Sequence, residues 1–279
     1  LILIIIEKIY GHYKGENASP NMDSVSSVSS GMVNSVKDVL GISVTLVSYD
    51  WIVSKIAFFH LEANVLNYLI GFIAIDFYGY LSHRLSHQIN FLWNKHAIHH
   101  SSEEFNLACA LRQTVSSFVN LFTFLLIPAA LIGVPAKVIA ITVPIHLFLH
   151  FWYHTKHIKK IGFLEKILVS PSHHRVHHAI NPEYIDKNHS QIFIFWDKLF
   201  DTFQEELENV PPVYGITRPA RTWNPIRINF QHLGLLITDA WRAESWKDKV
   251  TIWFKPTGWR PENFENKYQH KFRGGLNCV

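Results

Sequence analysis

The chain has 279 residues, with 26 basic and 22 acidic side chains, 48% hydrophobic and 14% aromatic residues and only 17% charged ones. So few charges and so many apolar residues exclude a disordered chain and a coiled coil, and a net charge of +4 is too mild for a nucleic-acid binder. Two cysteines, Cys109 and Cys278, rule out a disulfide scaffold, a Cys-rich zinc site and a Cys-ligated iron–sulfur centre. Histidine is the outlier: 18 residues, 13 of them between His83 and His178.

In chain order, LILIIIEKIY is too short an apolar start to span a bilayer and reads as the end of a helix cut short. A Ser-rich stretch follows, between Lys14 and Lys37, and its composition predicts a solvated linker. Four long apolar runs come next: Val39–Phe59, Asn64–Tyr80, Val115–Val134 and Ala136–Tyr153. About 20 residues span the hydrocarbon core, so these runs predict four membrane helices, the third free of charge. Mean hydropathy is only +0.07, because the apolarity is concentrated in these runs. Lys and Arg gather before the first run, between the second and third, and after the fourth. That bias puts those three segments, and both main histidine clusters, on the cytoplasmic side. Beyond Glu205 the chain is more polar. There Trp241, Trp246, Trp253 and Trp259 suit either contact with the bilayer interface or aromatic packing inside a small cap. The expected division is therefore 1–38 as N-terminal segment and linker, 39–205 as membrane core, and 206–279 as a cytoplasmic or interfacial region. The expected fold is an all-α integral membrane protein with a helical cap carrying a histidine-rich dimetal site.

The histidines recur at helical spacing. His83 and His87 form an HxxxH at the end of the second run. His96, His99 and His100 form an HxxHH, and His174, His177 and His178 form another. Residues i, i+3 and i+4 share a helix face, so each motif can aim its imidazoles at one place. Neutral imidazole ligates zinc, copper, iron and nickel, and so many rings exceed the needs of one ion, which implies two. A looser stripe, His146, His150, His154 and His157, runs down the fourth apolar run. His154 is its best additional ligand and His150 lies one turn deeper. His146 suits helix packing or a substrate channel, while His157, His173 and His189 are left without a role. Asp76, two turns before His83 on the same face, is the first candidate for a carboxylate that orients a ligand ring. The alternative for Asp76 is a helix-to-helix hydrogen bond. Glu103, Glu104 and Asp186 are weaker candidates.

The elements HRLSH, HAIHH and HHRVHH, with the flanking words DFYGYLSHR, WNKHAIHHSSEEFN, LRQ, PSHHRVHH, DKN, IFWDKLFDTF and KPTGWRP, resemble the fatty acid hydroxylase/sterol desaturase superfamily. Within it they are similar to the alkylglycerol monooxygenase-like branch. The resemblance runs from about residue 40 to 261; one departure is His189, where the branch usually has Tyr. It implies a membrane-bound di-iron monooxygenase that uses O2 to hydroxylate a C–H bond of a membrane lipid. In this branch, hydroxylation beside an ether oxygen gives a hemiacetal that collapses to an aldehyde and a glycerol. The ligand positions it implies are His83, His87, His96, His99, His100, His174, His177 and His178, with His154 added. Zinc can take such a site in purified protein without making the protein a hydrolase. No flavin or dinucleotide motif is present, so the electrons must come from an external donor: tetrahydrobiopterin in this branch, cytochrome b5 or a ferredoxin in others. A sterol or fatty acyl desaturase or hydroxylase is the alternative within the superfamily. A non-catalytic metal-binding membrane protein is the alternative outside it.

Overall fold

The structure is a computed structural model and describes residues 1–15, 21–114 and 123–261. Among them the elements in chain order are α1 (Ile2–Tyr13), α2 (Asn21–Ile56), α3 (Val65–Gln88), α4 (Asn90–His100), α5 (Ile127–Leu131), α6 (Ala136–Phe151), α7 (Pro171–His177), α8 (Phe195–Leu199), α9 (Pro225–Arg242) and α10 (Trp246–Thr251). Short 3₁₀ turns cover Cys109–Leu111, Thr123–Leu126 and Gly162–Lys166. Two isolated β-bridges, Leu168 with Phe193 and Ala179 with Tyr214, are the extended pairings seen among the described residues. Among the described residues the fold is all-helical, as the apolar runs and the histidine spacing predict.

Among the described residues, two helices, α2 and α3, are long and apolar enough to cross a membrane, and α6 is apolar but shorter. Their outward faces carry large apolar side chains with little protein over them: Val47 and Trp51 on α2 are 73% and 64% exposed, Leu69 on α3 58%, and Phe148 on α6 66%. Inside, Tyr49, Ile75, Ala130, Val134, Val138 and Ile139 make a core where α2, α3, α5 and α6 meet. The Tyr49 hydroxyl donates to the Val134 carbonyl at 2.9 Å. Gly71 lets α3 and α6 approach closely; a Cβ there would lie 2.5 Å from Val138 Cγ1.

From Asn21 on, the Ser-rich stretch is not a linker but the first half of α2, continuous with the apolar run that begins at Val39. Composition misleads here because a helical serine can return its hydroxyl to the backbone: Ser35 donates to the Gly31 carbonyl at 2.8 Å, as Ser43 and Ser48 do further along α2 at 2.8–2.9 Å. The stretch is also anchored by a pair the sequence does not advertise. Asp23 and Arg112 are both fully buried, and Arg112 Nη2 lies 2.5 Å from Asp23 Oδ1. Arg112 also donates through Nε to Ser27 Oγ at 3.0 Å and through Nη1 to Ser101 Oγ at 3.1 Å. Ser102 Oγ donates to Asp23 Oδ2 at 2.8 Å. The start of α2 is thereby tied to the end of α4.

The third apolar run is a second departure. Its first eight residues, 115–122, lie outside the described residues. The remainder is a 3₁₀ turn followed by the five-residue α5, not one helix. Pro128 has no N–H to continue an upstream helix, and Gly133, at φ +81°, ends α5. A Cβ on Gly133 would lie 1.8 Å from the Phe59 carbonyl oxygen, so the chain can pass there only as glycine.

Removing one partner of a buried ion pair costs about 3–5 kcal/mol. Asp23→Ala should therefore destabilise the full chain by that order in denaturant unfolding in detergent. A stretch that behaved as a solvated linker would leave stability unchanged.

Candidate metal centre

Helix α3 ends at Ile89, whose extended backbone (φ −119°, ψ 120°) breaks the helix and turns the chain into α4. This reversal lays His83 and His87 against His96 and His100. The third motif rides on α7, whose start is set by Ser170: its hydroxyl caps the His173 N–H, His173 Nδ1 accepts from the Ser170 N–H, and Pro171 occupies the first turn. His154 follows the end of α6. The structure brings all nine predicted histidines together in two groups. His83, His87, His96, His100 and His177 form one; His99, His154, His174 and His178 form the other. Within each group the candidate ring nitrogens all lie within 4.8 Å of one another.

The motifs do not divide as the spacing suggests. Each HxxHH was expected to aim its three rings at one place. Instead the i,i+4 pair of each serves one group and the i+3 ring serves the other. His96 and His100 join His177 in the first group, and His174 and His178 join His99 in the second. On a helix, i and i+4 differ by about 40° in direction while i and i+3 differ by about 60° on the opposite side. Rings 4.6–4.7 Å apart within the i,i+4 pairs leave the i+3 ring pointing across the gap. The two groups therefore share both helices.

Hydrogen bonds set the rings. His83 Nδ1 meets the His189 carbonyl at 2.8 Å, His154 Nδ1 the His150 carbonyl at 2.8 Å, and His177 Nδ1 the Lys187 carbonyl at 2.9 Å. A carbonyl only accepts, so the Nδ1 atoms of His154 and His177 carry the proton and those neutral rings turn the Nε2 lone pair inward. Inside, Nε2 atoms face one another. His83 Nε2 is 2.8 Å from His96 Nε2, which is 3.0 Å from His100 Nε2. His174 Nε2 is 2.8 Å from His154 Nε2 and 3.0 Å from His178 Nε2, and His154 Nε2 is 3.3 Å from His99 Nε2. The buried Nε2 atoms of His87 and His177 have no hydrogen-bond partner. Nitrogens about 2.0–2.1 Å from one cation lie about 2.9–3.4 Å apart at octahedral to tetrahedral angles. The donor set and its spacing fit a metal ion in each group.

Burial lowers the pKa of His96, His99, His100, His174, His177, His178 and His189 well below 6.5, and neighbouring imidazoles add to the effect. Burial likewise takes His154 down to about 3. All are neutral near pH 7, the state a ligand requires.

Asp76 is fully buried and saturated. Its oxygens accept from His146 Nε2 at 2.8 Å, Ile192 N at 2.9 Å, Phe193 N at 3.2 Å and Trp196 Nε1 at 2.9 Å. Its ring partner is His146, which belongs to neither group. The carboxylate thus makes the helix-to-helix hydrogen bond and acts on the site only through the 189–193 segment, whose His189 carbonyl holds His83. Asp186 lies nearer: its Oδ1 is 3.5 Å from His87 Nδ1. His150 stays beside His146, with ring centroids 4.3 Å apart, and His157 packs against Tyr10 at 5.1 Å. His189 lies against the first group, its ring centroid 5.0 Å from that of His87.

Asp186 was among the weaker sequence candidates; the other contributors were not singled out there. Asp186 and Asn188 both take left-handed backbone (φ 56° and 55°), which Asp and Asn tolerate best among residues with a Cβ. Asn188 fixes this bend by donating to the His173 carbonyl at 3.0 Å and the Gln204 carbonyl at 2.7 Å. Asp197 accepts from the His189 and Ser190 N–H groups, both at 2.8 Å. Gln191 brings its side-chain amide to 2.7 Å from His83 Nδ1. Glu7 on α1 accepts from Leu107 N at 2.7 Å and Thr155 Oγ1 at 2.5 Å, beside His154. The DKN triplet was the one visible hint.

Residues 68–202 match the family model described as fatty acid hydroxylase. These residues form a fatty acid hydroxylase domain. It is 38% identical over 249 residues to an alkylglycerol monooxygenase of Homo sapiens, covering 89% of this chain and 55% of that protein. It is 36% identical over 263 residues to one of Xenopus tropicalis, covering 93% and 58%. An ornithine lipid hydroxylase of Rhizobium tropici is 29% identical over 152 residues, covering 53% and 45%. The chain thus spans little more than half the length of these alkylglycerol monooxygenases. No solved structure matches it. All nine histidines of the two groups lie inside the matched span.

The lowered histidine pKa values set a pH dependence. Unfolded, these rings take up protons near pH 6.5; folded and metal-free, they stay neutral to lower pH. Proton uptake by the unfolded chain then favours unfolding as pH falls below 6.5. The thermal midpoint of the chelator-treated chain should drop between pH 7.5 and 5.5, and a flat or rising midpoint would contradict the neutral, buried state of the rings.

Proposed function

We propose that this chain is a non-haem di-iron lipid monooxygenase embedded in the membrane, acting on an ether lipid of the alkylglycerol type. The observation that carries the reading is the meeting of nine imidazoles, eight of them buried and His96 half-buried, in two adjacent groups. Similarity to alkylglycerol monooxygenases over about nine-tenths of the chain supports the substrate class. His83, His87, His96, His100 and His177 would hold one iron, and His99, His154, His174 and His178 the other. A pair of ferrous ions, when bound, supplies the reduction of O2 and the oxidising power to cleave a C–H bond. Zinc would fit the same rings in purified protein.

The residues of this chain supply the rest. The carbonyls of His150, Lys187 and His189 orient three ligand rings, and Asp186 steadies a fourth. Asp76 acts as a positioning residue through the 189–193 segment. Phe105, whose centroid is 5.2 Å from His178, and Tyr153, 4.4 Å from His174, wall the second group with aromatic surface and exclude water. An all-imidazole shell adds no negative charge, so the site keeps a strongly positive field toward O2-derived anions and the ether oxygen. Electrons come from an external donor, with tetrahydrobiopterin first and cytochrome b5 or a ferredoxin as alternatives.

The catalytic unit in this reading is 39–205, joined through the first half of α2 to the N-terminal segment 1–38, with 206–279 as the C-terminal region. Helices α2 and α3 cross the bilayer, α6 completes the embedded part, and the Lys/Arg distribution favours the cytoplasmic face for the histidine groups.

The test is anaerobic loading of the full chain with Fe2+, followed by labelled O2, reductant and an alkylglycerol, with products read by mass spectrometry. Label is expected in the aldehyde or hemiacetal product of the ether; label in a sterol or fatty acyl chain instead would select the superfamily alternative. His99→Ala should abolish turnover and lower bound metal, and full activity with unchanged metal would remove His99 from the ligand set.

A further inference from the structure

The four C-terminal tryptophans, one set in the sequence, part company in the structure. Trp253 and Trp259 pack against the buried Leu236, Ala240 and Ile252. Trp241 and Trp246 are 82% and 80% exposed. They belong to a larger face. On α9, Ile226, Phe230, Ile237 and Trp241 fall within about 60° of arc at 100° per residue. All four are exposed, from 46% for Phe230 to 82% for Trp241. The opposite side of α9 buries Ile228, Asn229, Leu236, Asp239 and Ala240. On α10 the stripe continues through Trp246 and Val250 to Phe254 just beyond, at 80%, 56% and 69% exposure. Seven large apolar side chains on the exposed sides of two adjoining helices are not what water-facing helices present.

The place of this face in the fold indicates what covers it. The end of α10 is fastened to the junction of α3 and α4. Asn90 N donates to the Lys255 carbonyl at 3.0 Å, Phe91 N to the Trp253 carbonyl at 2.9 Å, and Asn90 Nδ2 to the Ile252 carbonyl at 2.9 Å. Thr257 donates its hydroxyl to the carbonyl of His87. That junction is where α3, one of the two helices able to cross a membrane, ends. Phe91, itself 41% exposed, touches Trp253 there and carries the apolar surface across. Charge agrees. Between Arg221 and Lys255 the sequence holds six basic and three acidic residues. One of the acidic three, Asp239, is buried against Arg218 and Arg260. Lys249 Nζ sits 5.8 Å above the Trp241 ring and 5.7 Å from the Trp246 ring, which puts a cation at the rim of the apolar face.

We propose that the exposed face of α9 and α10 lies in the bilayer surface, with Trp241, Trp246, Phe230 and Phe254 among the upper acyl chains and Lys249, Arg227 and Arg242 at the level of anionic lipid phosphates. The unit is an in-plane helix pair that rests the C-terminal region on the leaflet where α3 emerges. It holds the histidine groups, through α4, at a fixed height over the lipid. This inference stands on burial and placement and does not depend on which lipid is oxidised.

The test uses the full chain in vesicles of equal parts phosphatidylglycerol and phosphatidylcholine, the latter brominated on acyl carbons near the headgroup. Bromine quenches indoles that reach the acyl chains. The chain is compared with the double variant Trp241→Phe, Trp246→Phe, whose exposed positions tolerate the smaller ring. Emission quenched by brominated lipid is expected to fall in the double variant, because the two lost indoles are among the quenched ones. An unchanged quenched emission overturns the proposal. Added acrylamide then separates two causes: access to both indoles means they face water, and protection from acrylamide as well as from bromine means that protein, such as a second copy of the chain, covers them.

Discussion

Nine imidazoles held away from water impose the constraint around which the molecule is arranged. A neutral imidazole has one hydrogen and one lone pair, and burial forces both to be placed. In His154 and His177 the hydrogen goes outward to a backbone carbonyl, so the lone pair must go inward. There the rings meet other imidazole nitrogens, and the Nε2 atoms of His87 and His177 find no hydrogen-bond partner. Such an arrangement is unfavourable by itself, which is why a cation in each group makes physical sense of it. The lowered pKa values express the same fact: protonation, the other route to a partner, is blocked by burial.

Keeping the lone pairs in register requires carbonyls at fixed positions, and these come from the 186–193 segment and the end of α6. The second is the last turn of a helix; the first is irregular and must be held by side chains. Asp76 grips Ile192 and Phe193, Asp197 grips His189 and Ser190, and Asn188 spans two carbonyls while adopting left-handed backbone. A second layer ties the far side. Arg112 and Asp23 bind α2 to the residues after His100, and Glu7 binds α1 to Thr155 beside His154. The site is therefore the meeting point of segments from nearly the whole described chain.

Much of this was legible in the sequence, for a definite reason. Histidines at i, i+3 and i+4 carry their own geometry, because the helix fixes their directions wherever it sits. All nine rings could be named from spacing and resemblance. Which group each ring joins could not, since the exchange of His99 and His177 between groups depends on how α4 and α7 face each other. The apolar runs gave α2, α3 and α6, but composition failed for the Ser-rich half of α2. Its place depends on one buried pair, Asp23 with Arg112, whose partners stand 89 positions apart. Asp76 was recognised as a buried carboxylate, yet its partners, 70 to 120 positions away, could not be read from helical periodicity. The four C-terminal tryptophans looked alike because exposure is a tertiary property.

Iron-edge X-ray absorption on the iron-loaded full chain, with metal counted per chain, tests the central claim most directly. The account predicts two irons per chain, each with nitrogen neighbours at about 2.0–2.2 Å dominated by imidazole scattering. One iron or none, or a shell without imidazole, would contradict it.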